Sequence, residues 1–387
     1  MTNMGKNELI KAIKPRYLKA SKKEKTVILD EFCGNTGYNR KYAVEILQAK
    51  CDYHRVLRVG RKSRARIYDS KVLSAVIKIW ELLEYPCGTR LKSMIIPMLE
   101  AMIRFKEISV SDDIQEKLKA ISSKTLDRRL AKERELRRLK RNRGNTRRGS
   151  LLKSSIPVRI TNWDTNVIGF MEMDTVAHNG GDPAGEHIYS LDMAEICSGW
   201  SEQAAVMGKG EGGIVSAVNE IKSAVPFELK GLDSDGGSEF INWHMVRYCE
   251  AAGLFFTRSR PDRKNDNAYV EQKNYTHIRR RLGYGRYDTR EQLDAINDLY
   301  RNELRLFNNF FRPAMKILSK EKVNNSVCRK KYDEAKTPYQ RLMESDQTPE
   351  AAKQKLKELY LSLNPVQLRK AIDEKLEKIK KTQIKQS

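Results

Sequence analysis

Eight carboxylates, Asp164, Glu172, Asp174, Asp182, Glu186, Asp192, Glu195 and Glu202, stand between Arg159 and Lys209 with no lysine or arginine among them. The gap is out of keeping with a 387-residue chain whose formal net charge is +24. Residues 1–150 carry a net +20, residues 151–310 a net −5 and residues 311–387 a net +9. Charge sorted this sharply divides a chain into bodies of opposite sign, and at roughly 100–200 residues per domain the length also calls for more than one. A region that gathers carboxylates around a divalent cation has this composition, and so has an ordinary acidic domain. The basic flanks point to a polyanion, nucleic acid first, with solubility or anionic lipid as the other readings.

Other classes are set aside quickly. With 40% hydrophobic residues the chain has the material for real cores. It has no run of 18 apolar residues, so no membrane span or membrane partner is expected. The polar start, MTNMGKNELIKAIK, does not read as a secretory signal, and a cytoplasmic, nucleoid-associated location is expected. Cys33, Cys51, Cys87, Cys197, Cys249 and Cys328 include no C-x-x-C pair, so reduced thiols are expected rather than disulfides or a zinc site.

The N-terminal third reads as short helices. Ser21-Lys22-Lys23-Glu24 is a capping box, followed by Val27, Ile28 and Phe32 at helical spacing. Gly34 suits a left-handed stop, and Thr36-Gly37-Tyr38-Asn39 a tight turn into a helix over Arg40–Gln48. A helix, a turn and a second helix opening on Arg40 and Lys41 make a helix-turn-helix pattern, which a plain helical bundle also offers. Amphipathic helices follow over Ser70–Leu83 and Lys92–Phe105, then a short one capped by Ser111 and another capped by Ser122. The last presents Lys124, Arg128 and Arg129, to a major groove or to solvent. From Arg128 the chain turns nearly polycationic and meets the breaker-rich Arg143-Gly144-Asn145. The expected organisation is a helix-turn-helix domain at 1–55, a second helical DNA-binding domain at 65–142, a basic linker at 143–158, a core at 159–310, and a basic, largely helical region at 311–387.

The acidic middle alternates strands with helices. Strands are expected at Val167–Asp174, His187–Met193, Gly199–Ala205, Phe227–Asp235 and Leu254–Arg258. Helices are expected at Gly213–Ala224, Asn242–Ala252 and Asn267–Arg281. The fold class is therefore α+β. Three acids fall at telling places. Asp174 and Asp235 close strands, the second before Gly236-Gly237, and Glu271 lies one turn into a helix, with 35 residues between it and Asp235.

Met171-Glu172-Met173-Asp174, Asp233-Ser234-Asp235-Gly236-Gly237-Ser238-Glu239-Phe240 and Asn265-Asp266-Asn267-Ala268-Tyr269-Val270-Glu271 together resemble the D,D(35)E signature of DDE transposases of bacterial insertion sequences, with their retroviral-integrase-like core. The resemblance covers residues 160–310, and the N-terminal helix pairs and the stretch from Asn308 to Leu342 are similar to that family too. It implies an RNase H-like fold, a mixed five-stranded sheet flanked by helices. It also implies two divalent cations, Mg²⁺ or Mn²⁺, bridged by Asp174 and each held singly by Asp235 or Glu271. The chemistry accounts for the pattern: two ions roughly 3.5–4 Å apart activate an attacking oxygen and relieve charge on the leaving one, and hard cations take carboxylate oxygens. The implied substrate is double-stranded DNA, element ends and target, cleaved and joined by a homodimer or larger multimer. Lys264 and Lys273 are expected to touch that DNA, with a solvated helix face as the other reading of Lys273.

Asp233 and Glu172 share strand faces with Asp235 and Asp174 and are the rival acids; Asp266 reads as a turn or cap residue. His178 and His277 are expected in surface or hydrogen-bonded roles. Gly236 departs from the family, which commonly has Asn there. The N-terminal Cys/His module of retroviral integrases is missing, which narrows the likeness to bacterial transposases. The other readings are a transposase-derived DNA-binding protein with an inactive core and an RNase H-like nuclease that cuts without joining.

Overall fold

The computed structural model describes residues 3–48, 67–137, 166–234, 243–258, 268–322 and 328–383. Met1–Ile67 and Tyr68–Ser387 are two compact units.

The first unit holds α1 (Asn3–Lys19), α2 (Lys22–Thr36) and α3 (Arg40–Gln48). The capping box forms as the sequence predicts, the Ser21 amide donating to Glu24 Oε2 at 2.8 Å. The stop differs. Gly34 stays inside α2, and Gly37 at φ 68° ends the helix, its N–H donating to the Cys33 carbonyl. Asn35 and Thr36 extend the helix because the Thr36 hydroxyl donates to the Phe32 carbonyl at 2.6 Å, so the left-handed residue comes three positions later. Tyr17, Ile28, Leu29, Phe32, Ala43 and Leu47 form the core.

The second unit opens with α4 (Ser70–Leu82), α5 (Gly88–Arg104), α6 (Asp112–Ala120) and α7 (Ser123–Leu136). Asp69 caps α4 by accepting from Val72 N at 3.0 Å, and Ser122 caps α7 by accepting from Thr125 N at 3.2 Å. There follow β1 (Phe170–Ala177), β2 (Ile188–Glu195), β3 (Ser201–Met207), α8 (Glu211–Ala224), β4 (Gly231–Ser234), α9 (Trp243–Ala251) and β5 (Phe255–Arg258). The sheet order is β3-β2-β1-β4-β5. Strands β1 to β3 form an antiparallel meander, while β4 and β5 run parallel to β1. This is the RNase H-like arrangement, and the α+β class expected from sequence holds.

Beyond the sheet lie α10 (Ala268–Lys273), a π turn (Asn274–Arg279), α11 (Arg280–Leu282), α12 (Arg290–Leu299), a second π turn (Tyr300–Leu304) and α13 (Arg305–Phe310). The expected helix over Asn267–Arg281 is thus interrupted. A hairpin of β6 (Ile317–Lys322) and β7 (Cys328–Tyr332), which the sequence reading lacked, precedes α14 (Pro338–Glu344), α15 (Glu350–Ser362) and α16 (Pro365–Lys381). Asn364 caps α16 at Val366 N and Gln367 N, with Pro365 at the first helical position.

Two features position the site. The sheet's sides differ: Met171, Met173, Leu191, Met193 and Leu232 are fully buried apolar side chains, while Glu172, Ser190, Asp192 and Asp233, on the alternate positions, are fully buried polar ones. The open edge of β3 is closed by two asparagines. Asn297 exchanges bonds of 2.8 and 2.9 Å with the Ala205 amide and carbonyl, and Asn309 exchanges two of 2.9 Å with Ser201. Each replaces one rung of a missing strand. One hydrophobic core runs from Val72 of α4 through the sheet to Ile379 of α16, so the described parts of 65–142, 159–310 and 311–387 share this unit. The expected linker at 143–158 lies outside the described residues. No helix among the described residues is long and apolar enough to cross a membrane.

Candidate active site

Asp174 sits inside β1 rather than at its end, because β1 keeps pairing with β2 as far as Ala177 opposite Tyr189. Its half-buried carboxylate is held at both oxygens. Oδ1 accepts from Thr175 N at 2.7 Å and Oδ2 from Asn274 Nδ2 at 2.6 Å. Asn274 opens the π turn, three residues beyond Glu271, so the bond brings the Glu271 helix over β1. A second tie fixes that helix: Val270 N donates to Glu172 Oε2 at 3.2 Å. Glu271 itself is exposed. On the other side of β1, parallel β4 pairs Ser234 with Met173, the residue before Asp174, and ends there. Asp235 and Gly236 lie outside the described residues. Of the three expected acids, Asp174 and Glu271 are described, and the Asn274 and Val270 bonds hold the Glu271 helix against β1.

A buried polar layer surrounds Asp174. Asp192 lies directly across from it on β2 and is fully buried, accepting from Gln203 Nε2 of β3 at 2.9 Å. Burial pushes the Asp192 carboxyl above its ordinary range, with Gln203 and Lys273 pulling the other way. Burial likewise depresses the Lys273 ammonium, with Asp192 and Glu195 opposing. Asp233 is opposite Glu172 and accepts from Thr257 Oγ1 at 2.5 Å, which marks it as a tied neighbour of the site. Both histidines are buried. His277 bonds Ser201 Oγ through Nδ1 at 3.2 Å, and His178 Nε2 bonds Ser190 Oγ at 2.8 Å, which in turn meets Tyr300 OH at 2.6 Å. Burial holds His277 well below 6.5 and His178 down to about 3, so both are neutral links.

The cationic residues expected at DNA are placed variously. Lys41 is exposed, and Arg40 is half exposed with an ion pair to Asp30. Lys124 and Arg128 are exposed on α7, whereas Arg129 turns back to the Tyr68 carbonyl at 3.1 Å. Lys264 lies outside the described residues. Lys273 departs from expectation: it points inward, donating to the Gly199 carbonyl. Asp192 and Glu195 attract the ammonium there, and the carbonyl supplies a partner inside the fold.

Sequence reasoning passed over Asp192 and a second cluster around Glu84. Asp192 has one sequence signal, its alternate position in a strand, and only the β1–β2 register turns that into a neighbour of Asp174. Glu84, Arg281, Arg312 and Arg369 carry no signal, since they meet only through packing of distant helices. Among the described residues no three His, Cys, Asp or Glu side chains form a metal-sized group, and Asp235 is not among those residues.

No family model matches the chain. Over 328 residues it is 35% identical to the uncharacterized protein y4rM of Sinorhizobium fredii, covering 84% of this chain and 91% of that protein. Solved structures similar to it include the HTLV-2 integrase catalytic core domain in complex with magnesium, in its dimeric form, at 14% identity and TM-score 0.28, covering 38% of this chain and 88% of that one. The BIV integrase catalytic core domain matches at 15% identity and TM-score 0.29, over 44% and 91% of the two chains. A simian T-cell lymphotropic virus intasome in complex with the PP2A regulatory subunit B56 gamma matches at 14% and 0.32, over 64% and 76%. The strand order and pairing, not these likenesses, carry the RNase H-like architecture.

Proposed function

We propose that this chain, which belongs to the family of the Sinorhizobium fredii protein y4rM, is a DDE-type polynucleotidyl transferase, a transposase of the bacterial insertion-sequence kind that cleaves double-stranded DNA at element ends and joins it to a target. The observation that carries the reading is the Asn274–Asp174 bond, which ties the Glu271 helix to β1; Asp235 enters from the sequence motif. The donor set fits a hard divalent cation. It offers carboxylate oxygens, Asp174 is already oriented by a neutral amide, and Lys273 on the same helix is engaged by a backbone carbonyl. Mg²⁺ or Mn²⁺ ions held by Asp174, Asp235 and Glu271 would activate the attacking oxygen and offset charge on the leaving one. The chain's own part is positional. Asn274 fixes the carboxylate plane of Asp174, the exposed Glu271 faces solvent from which DNA arrives, and exposed Lys41, Lys124 and Arg128 are available to backbone phosphates. Joining a pair of element ends calls for at least two copies of the chain.

Full-length protein with labelled element ends, Mg²⁺ and a target plasmid tests this. Asp174→Ala and Glu271→Ala are each expected to reduce joining to background while end binding persists. Joining at the wild-type rate by either variant refutes the assignment. Gly236, where the resembling family commonly has Asn, favours a second reading, a DNA-binding protein with an inactive core; it predicts end binding and no cleavage by the wild type in either metal.

A further inference from the structure

Away from the carboxylate site, a cavity of about 390 Å³ opens between the C-terminal end of α4, α11 and α16, all within the second unit. Its floor is Glu84, whose side chain is 5% exposed. One Glu84 oxygen takes Arg281 and Arg369, and the other lies 3.3 Å from Arg312 Nη1. Arg280 adds a bond of 3.2 Å to the Glu84 carbonyl. Three guanidiniums on one buried carboxylate leave positive charge over. Of the remaining acids on the wall, Glu81 is paired with Arg137, Glu377 with Lys381 and Asp373 with Arg369. Among the described residues, Arg280, Arg281, Arg312, Arg369 and Lys380 are therefore balanced by Glu84 and Asp373.

The excess has unused donors. Arg281 is 3% exposed and lines the cavity, and its Nε and Nη2, shut off from solvent, have no hydrogen-bond partner among the described residues. Phe307 lies against its guanidinium, 5.5 Å from ring centroid to carbon, and offers no acceptor to those two edges. Lys380 is in no ion pair among the described residues and reaches the cavity from α16. Buried donors left unmade are costly, and a guanidinium fork matches a tetrahedral oxyanion. Burial depresses Arg281 to about 9, with Glu84 opposing and the other arginines adding to the depression, as expected where cations outnumber their partners.

We propose that this cavity is a phosphate-binding site, in which Arg280 and Lys380 take the oxygens of a phosphate group and the buried guanidiniums of Arg281, Arg312 and Arg369 supply the excess positive charge behind them. The site does not depend on the carboxylates and stands whether or not the chain joins DNA. The phosphate is either a free anion or a backbone phosphodiester, and the same cations serve both.

The test uses the full chain and inorganic phosphate at millimolar concentration, against chloride at matched ionic strength. Saturable binding by calorimetry is expected, with a rise of about 3 °C in melting temperature near ten times Kd. Arg280→Gln combined with Lys380→Gln leaves the Glu84 contacts of Arg281, Arg312 and Arg369 in place. It is expected to abolish the rise while melting as wild type in chloride, and the exposed Lys380→Glu alone is expected to weaken binding at least tenfold. No saturable phosphate binding by the wild type, or undiminished binding by Lys380→Glu, overturns the proposal. Duplex DNA in the same assays identifies the source. Competition by phosphate and a log K against log salt slope about 0.9 shallower in the double variant assign a backbone phosphate, and unchanged DNA binding assigns the free anion.

Discussion

Replacing Asn274 separates a positioning role from a merely stabilising one. The Nδ2–Oδ2 distance of 2.6 Å makes this a short bond to a carboxylate. The amide must face Asp174 with its nitrogen, since a flipped side chain would set oxygen against oxygen. A hydrogen bond to a charged group contributes about 1.5–3 kcal/mol. If that energy holds Asp174 in its working orientation, Asn274→Ala loses it from the transition state. At 1.36 kcal/mol per factor of ten, joining slows by about 10- to 150-fold. The chain geometry makes the role specific: Asn274 begins a π turn, the kind of helical irregularity that recurs at functional sites, and a regular helix would rotate the residues after it. The assay is the initial rate of joining over a Mg²⁺ titration, alongside thermal melting. A slower rate with a melting temperature within a few degrees of wild type is expected. Asn274→Asp is expected to be slower still at low Mg²⁺, because a second carboxylate at 2.6 Å repels the first. Wild-type joining with unaltered Mg²⁺ dependence in Asn274→Ala refutes the argument, and equal losses of stability and binding with an unchanged rate per folded molecule would reduce Asn274 to a structural strut.

Glu84→Gln keeps the shape but removes the charge shared by Arg281, Arg312 and Arg369, and is expected to destabilise the second unit by about 3 kcal/mol in denaturant melts. Burial tends to raise the Glu84 pKa, but the guanidiniums of Arg281, Arg312, Arg369 and Arg280 outweigh it and hold the carboxyl below 4.5. Its stabilisation is therefore complete above 4.5 and lost as pH falls through the lower folded value, and Glu84→Gln flattens that acid limb. Gly88→Ala puts a Cβ 2.2 Å from the Ser123 carbonyl oxygen and 2.7 Å from the Asp127 carboxylate, and is expected to cost about 1–3 kcal/mol by the same melts, with wild-type stability as the contrary result.

The parts of this chain legible in its sequence are those fixed by local chemistry. The Ser21–Glu24 box, the Asn364-Pro365 cap and the alternation through Met171–Asp174 each use residues a few positions apart, and the structure has all three. Strand lengths were less legible. β1 runs past Asp174 because Ala177 finds Tyr189 on β2, a pairing no local pattern announces. The Glu84 cluster draws on positions 84, 281, 312 and 369, and Glu84 itself takes the left-handed region at φ 63°, a conformation that nothing in its neighbours requires.

Lys273 gives the sharpest lesson, because a rule that usually works points the wrong way there. A lysine two residues from Glu271 on an amphipathic helix reads as solvent-facing. The face it meets is polar, however: Glu172, Asp192 and Asp233 are fully buried on the strands, so the helix covering them must bring polar partners of its own. Lys273, Asn274 and His277 put polar groups on that side of the helix, reaching Gly199, Asp174 and Ser201 in turn, and Val270 N reaches Glu172. The absence of Lys and Arg between Arg159 and Lys209 agrees with this buried polar layer. A basic side chain on β1, β2 or β3 directed at this layer would neutralise Asp174 from within the sheet. Among the described residues Lys273 comes from the helix, not the sheet, and donates to the Gly199 carbonyl, while Asp174 is held by Thr175 N and Asn274.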